Sequence, residues 1–341
     1  MKVVNTMKAV CLVDTEKLEI KDVPMPFIVK PDDVLVKISY TTICGSDVEL
    51  FKGSIPIGIK QRNIIGHESS GVIIDLGEDA KRRDLKVGDY VSAIPWNICH
   101  TCSYCLSGNS HMCNGITFSG SMCEYVVWKS NQIIKLPPSV SLLTGCLSEL
   151  LGTAIHAIEK LRPSINSNIL ILGAGGGGLL MLQLLQRYTV GQIVVLDPIL
   201  EKRQIASQLG ATLTLDPNNK NVLAATANAV NFGGYDYVID ASGDSSILQF
   251  GFNSLARMGT LLIYSRYTED HAFNLLELHY KEAKIIGSQM SVSPNCIPKI
   301  KTFLPQLNSE IFIQDIFPIN QVDQAFKTHL KGKSPRVAIQ M

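Results

Sequence analysis

Ile169-Leu170-Ile171-Leu172-Gly173-Ala174-Gly175-Gly176-Gly177-Gly178 is the stretch on which the fold of this chain turns. Four apolar residues form a strand pattern, the glycines form a turn, and 179–187 continues at helical spacing. Gly173, Gly175 and Gly178 match GxGxxG. In that motif the first glycine permits a tight turn, the second lets backbone approach a pyrophosphate, and the third lets helix and strand pack closely. Gly176 falls where the helix opens, and free N–H groups there suit phosphate oxygens. A glycine run alone is weak, but here an acid, Asp197, ends the next strand pattern at 192–196. A carboxylate in that place can accept both hydroxyls of an adenosine ribose and repel a 2′-phosphate, which favours NAD over NADP. Lys202 and Arg203 lie close by and keep NADP as the less favoured choice. The competing reading of Asp197 is a helix N-cap before Pro198.

Working outward, 201–209 reads as helix, and further strands are expected at 237–239, 260–264 and 284–286. Strands alternating with helices argue for a parallel sheet covered on both faces. The first third is different. Apolar and polar residues alternate at 8–14, 33–40, 71–77 and 89–94 between Gly, Pro and Asp, as in a β-rich unit. Pro137 and Pro138 then precede helical spacing over 141–161, read as one linking helix. The tail from about 296 holds two helical patterns and a closing strand at 336–340. A length of 341 residues, beyond what one core usually supports, agrees with two domains.

Hydrophobic residues make up 46% and charged residues 18%, with a net charge of +1. Lys and Arg are scattered, so no footprint for nucleic acid or an anionic membrane is expected. The longest apolar segment, 169–182, is broken by glycines, and the first residues lack the apolar core of a signal peptide. A cytoplasmic protein is the expectation. In a reducing compartment, nine cysteines point to metal or catalysis before disulfides.

Cys99, Cys102, Cys105 and Cys113 form C-x2-C-x2-C-x7-C, enough to close a tetrahedral sulfur shell around a structural zinc. A second, open site is suggested by Cys44-Gly45-Ser46-Asp47 and Gly66-His67-Glu68, with Glu149 as a further candidate. Thiolate, imidazole and carboxylate are suitable ligands, and three protein ligands plus water is the catalytic pattern. Taken singly, Cys44 reads as a small core residue, His67 as a satisfied core histidine and Glu149 as an exposed helix charge. Beside a nucleotide motif they stop being independent.

In this order the motifs resemble the zinc-containing medium-chain alcohol and polyol dehydrogenases, over essentially the whole chain. Leu85-Lys86-Val87-Gly88-Asp89-Tyr90-Val91 is similar to the family's Gly-Asp-x-Val segment, and Glu149 with Leu151 and His156-Ala157 to the acidic segment of its sorbitol dehydrogenase-like branch. The resemblance implies a discontinuous, partly open barrel-like (GroES-like) catalytic domain from 1–150 and 290–341. It implies a Rossmann NAD-binding domain over 151–289, with zinc and nicotinamide meeting in a cleft, and a homodimer or homotetramer. Cys44, His67 and an acid, Glu68 or Glu149, would hold the catalytic zinc, which acidifies a substrate hydroxyl. Ser46 would accept the proton, and Asp47 would fix the turn or orient a ligand. Glu49 stands where the family often has a proton-relaying histidine, and Ser121-Met122-Cys123-Glu124-Tyr125 replaces a glycine-rich approach. The expected substrate is a small secondary alcohol such as a polyol, cyclitol, aminocyclitol or sugar alcohol. Threonine or a sugar phosphate is the alternative. A zinc-free quinone or enoyl reductase needs none of these ligands, and a non-enzymatic nucleotide-sensing zinc protein would have no use for an intact set.

Overall fold

The computed structural model describes residues 5–54, 64–230, 233–289 and 294–341. The chain divides into two compact units, Met1–Gly152 with Ser291–Met341, and Thr153–Met290.

The second unit is built on one six-stranded sheet in the spatial order Leu213–Leu215, Ile193–Leu196, Ile169–Leu172, Tyr235–Asp240, Leu255–Ile263, Lys284–Gly287. All pairs are parallel. Numbered along the chain this is 3-2-1-4-5-6, the Rossmann order, whose switch point lies between the first and fourth strands. Ile169–Leu172 and Ile193–Leu196 are buried at every residue, as continuous apolar strands covered on both faces must be. Leu170, Leu172, Val194, Leu196, Val238 and Phe252 form the heart of that core. Leu213–Leu215 has no counterpart among the expected strands, because three residues are too short to show a period.

Gly173 turns the chain at the end of the first strand with φ +95, a left-handed conformation that disfavours a side chain. Helix Gly176–Leu185 begins three residues later, earlier than apolar spacing indicated, because its first turn is made of glycines. A Cβ on Gly178 would lie 2.0 Å from the Gly173 carbonyl oxygen. The third glycine of the motif therefore serves close packing inside the protein.

The first unit is β-rich. Strand Asp33–Thr42 is its axis, pairing along one side with Glu68–Leu76 and along the other with Tyr125–Lys129 and Arg336–Gln340. Ile313–Pro318, Tyr90–Ala93 and Ile133–Lys135 extend the sheet, and Thr6–Asp14 pairs separately with Lys17–Pro24. Ala338↔Thr42 and Ile339↔Thr41 are in register, so the last strand of the chain completes a sheet begun 300 residues earlier. The expected single helix over 141–161 is two, Leu142–Gly145 and Ser148–Leu161. Ser148 Oγ donates to the Gly145 carbonyl at 2.7 Å and ends the first. The tail also holds Ile313–Pro318, whose residues pair parallel to the closing strand. Among the described residues no helix is long and apolar enough to cross a membrane.

Gly178→Ala tests the packing role. Overpacking against backbone should cost about 1–3 kcal/mol, read as a lower urea midpoint with earlier hydrogen exchange in 169–172. An unchanged midpoint would contradict it.

Candidate functional site

Cys44 is the N-cap of helix Gly45–Phe51, in extended backbone at φ −95, ψ 161. Asp47 sits one turn into that helix and has no exposed surface. Its carboxylate accepts the Cys44 N–H at 2.9 Å and the Gly66 N–H at 3.2 Å, and its Oδ1 lies 3.4 Å from His67 Nδ1. The other ring nitrogen of His67 is turned to the Cys44 side, with Ser46 Oγ 3.4 Å from Nε2. Ligand atoms of Cys44, His67 and Glu68 all lie within 4.8 Å of one another.

Glu68 opens strand Glu68–Leu76 in register with Thr42. Thr42 Oγ1 donates to its Oε2 at 2.5 Å, while Arg336 donates from Nε to Oε2 at 3.0 Å and from Nη2 to Oε1 at 3.1 Å. Oε1 thus keeps a lone pair for another partner. Arg336 is only 6% exposed, a buried cation whose charge is met by the bidentate contact. Sequence reasoning read 336 only as the start of a strand. The available signal is a cation placed directly before the apolar run Val337-Ala338-Ile339.

Glu149 lies in the first turn of helix Ser148–Leu161 and is 4% exposed, so it is no surface charge. It is outside the close group of Cys44, His67 and Glu68. Burial pushes its carboxyl up to about 7, against the charges of His67 and Arg336 and with that of Glu68. Burial alone would lower His67, but Asp47 and Cys44 outweigh it and raise the imidazole well above its ordinary value.

The four sulfurs of Cys99, Cys102, Cys105 and Cys113 also lie within 4.8 Å of one another, with Cys99 and Cys105 at 3.9 Å. Backbone N–H groups point at them: Cys102 to Cys99 Sγ, and Cys99 and Gly115 to Cys113 Sγ, each at 3.3 Å. N–H groups of Thr101 and Cys102 draw the Cys99 thiol down to about 5, favouring thiolate. All four are free cysteines. The Cys102 thiol is lowered too, while burial and the neighbouring thiols push Cys105 up to about 12; four soft donors held this close fit zinc.

In the second unit a Cβ on Gly175 would meet nothing within 4 Å, leaving an open cradle at the cap of helix Gly176–Leu185. Asp197, 5% exposed, follows strand Ile193–Leu196 and accepts the Ala174 N–H and the Ile199 N–H, each at 2.8 Å. It is not the helix cap, which is Ile199. Its carboxylate faces the glycine turn instead. Arg203 Nη1 donates to the Asp197 carbonyl at 2.6 Å and lies 3.4 Å from Asp216 Oδ2.

Residues 30–138 match the family model of the alcohol dehydrogenase GroES-like domain, and residues 176–306 that of the zinc-binding dehydrogenases. D-xylulose reductase A of Aspergillus niger is 30% identical over 284 residues, 80% of this chain and 79% of that one. A solved Escherichia coli dehydrogenase of unknown specificity is 25% identical with a TM-score of 0.91, covering 98% of this chain and 99% of that one. 2R,3R-butanediol dehydrogenase of Bacillus subtilis shares the fold, with a TM-score of 0.87 at 22% identity, covering 98% of this chain and 99% of that one. The chain belongs to the zinc-containing medium-chain dehydrogenases. It is a zinc-dependent oxidoreductase that uses a nicotinamide dinucleotide.

Besides Arg336, two further residues near this site were not read from the sequence, which carries no signal for them. Trp96 and Phe118 come from the paired strands Trp96–Asn97 and Thr117–Phe118. Both rings stand 6.1 Å from His67 and 5.2 Å from each other, an aromatic wall beside the metal group. Strands of two residues carry no readable alternation.

Two measurements test the site. Asp47→Asn should fold yet bind zinc about 10–100-fold more weakly, by competition with a chromogenic chelator. In chelated protein, burial raises the Glu149 carboxyl from its ordinary 4.5 to about 7. The unfolded chain therefore releases its proton first, and stability falls as pH rises between these values, by about 3 kcal/mol in all. Urea midpoints across that window should show the slope in the parent and lose it in Glu149→Gln.

Proposed function

We propose that this dehydrogenase oxidises a secondary hydroxyl of a polyol, or reduces the matching ketone, with NAD as the hydride partner. The observation that carries the reading is the group of Cys44, His67 and Glu68, oriented by Asp47 and Arg336 and walled by Trp96 and Phe118. Cys44, His67 and Glu68, through its less occupied Oε1, would hold the catalytic zinc. Cys99, Cys102, Cys105 and Cys113 would hold a structural one. When bound, a catalytic zinc supplies Lewis acidity toward the hydroxyl or carbonyl oxygen of the substrate.

The protein's own residues do the rest. Asp47 at His67 Nδ1 fixes the ring so that Nε2 serves as ligand, the usual arrangement of a carboxylate behind a metal-bound histidine. Ser46 Oγ, 3.4 Å from that nitrogen, would take the proton of the substrate hydroxyl while giving its own to the next acceptor, water or a carboxylate. Glu49 follows three residues later on helix Gly45–Phe51, hence on the same side, and offers a carboxylate where the family often has histidine. The aromatic wall keeps water away from the reacting carbon and presents apolar faces to the C–H side of a polyol. Glu149 adds a second acid for substrate hydroxyls, and the relative from Aspergillus niger is named for a ketose.

In the second unit, Gly173, Gly175, Gly176 and Gly178 would take the pyrophosphate at the helix N-terminus. Asp197 would accept the adenosine ribose hydroxyls. Arg203 supports NAD over NADP, because its guanidinium is spent on the Asp197 carbonyl and Asp216. The same reading makes the protein a cytoplasmic homodimer or homotetramer.

Purified protein should contain about two zinc ions per chain and form NADH with xylitol or sorbitol far faster than with ethanol, with NADP a poor substitute. His67→Ala should lose about one zinc and nearly all turnover. Full polyol turnover by zinc-depleted protein would overturn the reading.

A further inference from the structure

The glycine run holds two glycines beyond the three of the pyrophosphate motif, Gly176 and Gly177. A Cβ on Gly177 would lie 2.5 Å from Tyr264 Cε1 and 3.0 Å from its hydroxyl oxygen. Contacts that short are not tolerated, so Gly177 and Tyr264 are fitted to each other. The tyrosine is held at both ends. Its N–H donates to the Asp240 carbonyl at 3.0 Å, and its hydroxyl lies 2.6 Å from Thr153 Oγ1.

The anchor beneath it is rigid as well. Asp240 has no exposed surface, and its carboxylate accepts the Ser242 hydroxyl at 2.7 Å and the Tyr267 hydroxyl at 2.9 Å. These bonds tie together the loops that follow strands Tyr235–Asp240 and Leu255–Ile263, both at the carboxyl edge of the sheet. Ligands of such sheets bind outside that edge, at the switch point, and a dinucleotide spans both halves. Asp197 marks the adenosine half, on the side of Ile193–Leu196. The other mononucleotide must therefore cross toward Tyr235–Asp240 and Leu255–Ile263, where Tyr264 stands against the first helical turn.

Resting on the dinucleotide reading above, we propose that Tyr264 is a positioning residue for the nicotinamide half of the cofactor. Its ring occupies the volume that a side chain at 177 would take in this crevice and forms the wall against which that half is placed. Thr153 sets the angle of the ring through its hydroxyl.

The test compares NADH with ADP-ribose, which keeps the adenosine half and both phosphates but lacks nicotinamide. Binding is followed by fluorescence for NADH and by calorimetry for ADP-ribose, on zinc-loaded full-length protein. Tyr264→Ala and Gly177→Ala should each weaken NADH about tenfold, raise KM for NAD in parallel, and leave ADP-ribose within about twofold. Tyr264→Leu alone should weaken NADH about tenfold as well, and Gly177→Ala combined with Tyr264→Leu should weaken it no further than either single change, a non-additive result. Equal weakening of NADH and ADP-ribose, or simple additivity in the double variant, would overturn the proposal while leaving the dinucleotide site intact. Failure of the unmutated protein to bind ADP-ribose would overturn the dinucleotide reading itself, and this proposal with it.

Discussion

One carboxylate with no access to water organises the metal group. Asp47 takes the N–H of Cys44, the N–H of Gly66 and the approach of His67 Nδ1, so it ties a helix cap to a loop twenty residues later. Burying a carboxylate is costly unless it is surrounded by donors, and three donors from two segments meet that need. The same contacts hold Asp47 below its usual range despite burial, because His67 and the backbone N–H groups favour the charged form. Geometry and charge are therefore one arrangement. Removing the acid would loosen the sulfur, the imidazole and the turn together.

Arg336 does for Glu68 what Asp47 does for His67, from the opposite end of the chain. It stands at the head of the closing strand, which pairs with Thr41 and Thr42, and its guanidinium reaches past that strand to Glu68, the first residue of the strand beyond. A buried pair of this kind adds little net stability against an apolar substitute, but it fixes where the carboxylate points. Sheet closure and ligand orientation thus depend on the same residue.

How much could be read in advance follows from how local each signal is. The glycine turn, Asp197 and the cysteine quartet lie within short stretches, and their spacing carries their geometry. Cys44 and His67 read as candidate metal donors only jointly, since neither has a local pattern of its own. Glu149 was left between ligand and surface charge because helical spacing does not say what covers the first turn of a helix. Arg336, Trp96 and Phe118 were missed outright, since their importance comes from long-range pairing or from two-residue strands. Gly177 has no place in the motif read from the sequence, and only the position of Tyr264 gives it a reason.

The charge states of the metal-free group explain why it suits a divalent cation. Raised values for His67 and Glu149 mean that protons neutralise the site when nothing else does. Each proton is held by the same feature that would serve a metal: Asp47 and Cys44 behind the imidazole, and burial around the carboxyl. A divalent ion at this group would compete with those protons, and its binding would be coupled to pH for that reason. The quartet differs in kind. Backbone N–H groups draw Cys99 and Cys102 toward thiolate, whereas burial and the neighbouring sulfurs push Cys105 up to about 12, and four sulfurs this close leave no position for a substrate oxygen. Two groups built from overlapping residue types thus divide the labour: one closes a loop, and the other keeps acids, a serine hydroxyl and an aromatic wall around a ligand set that is still open.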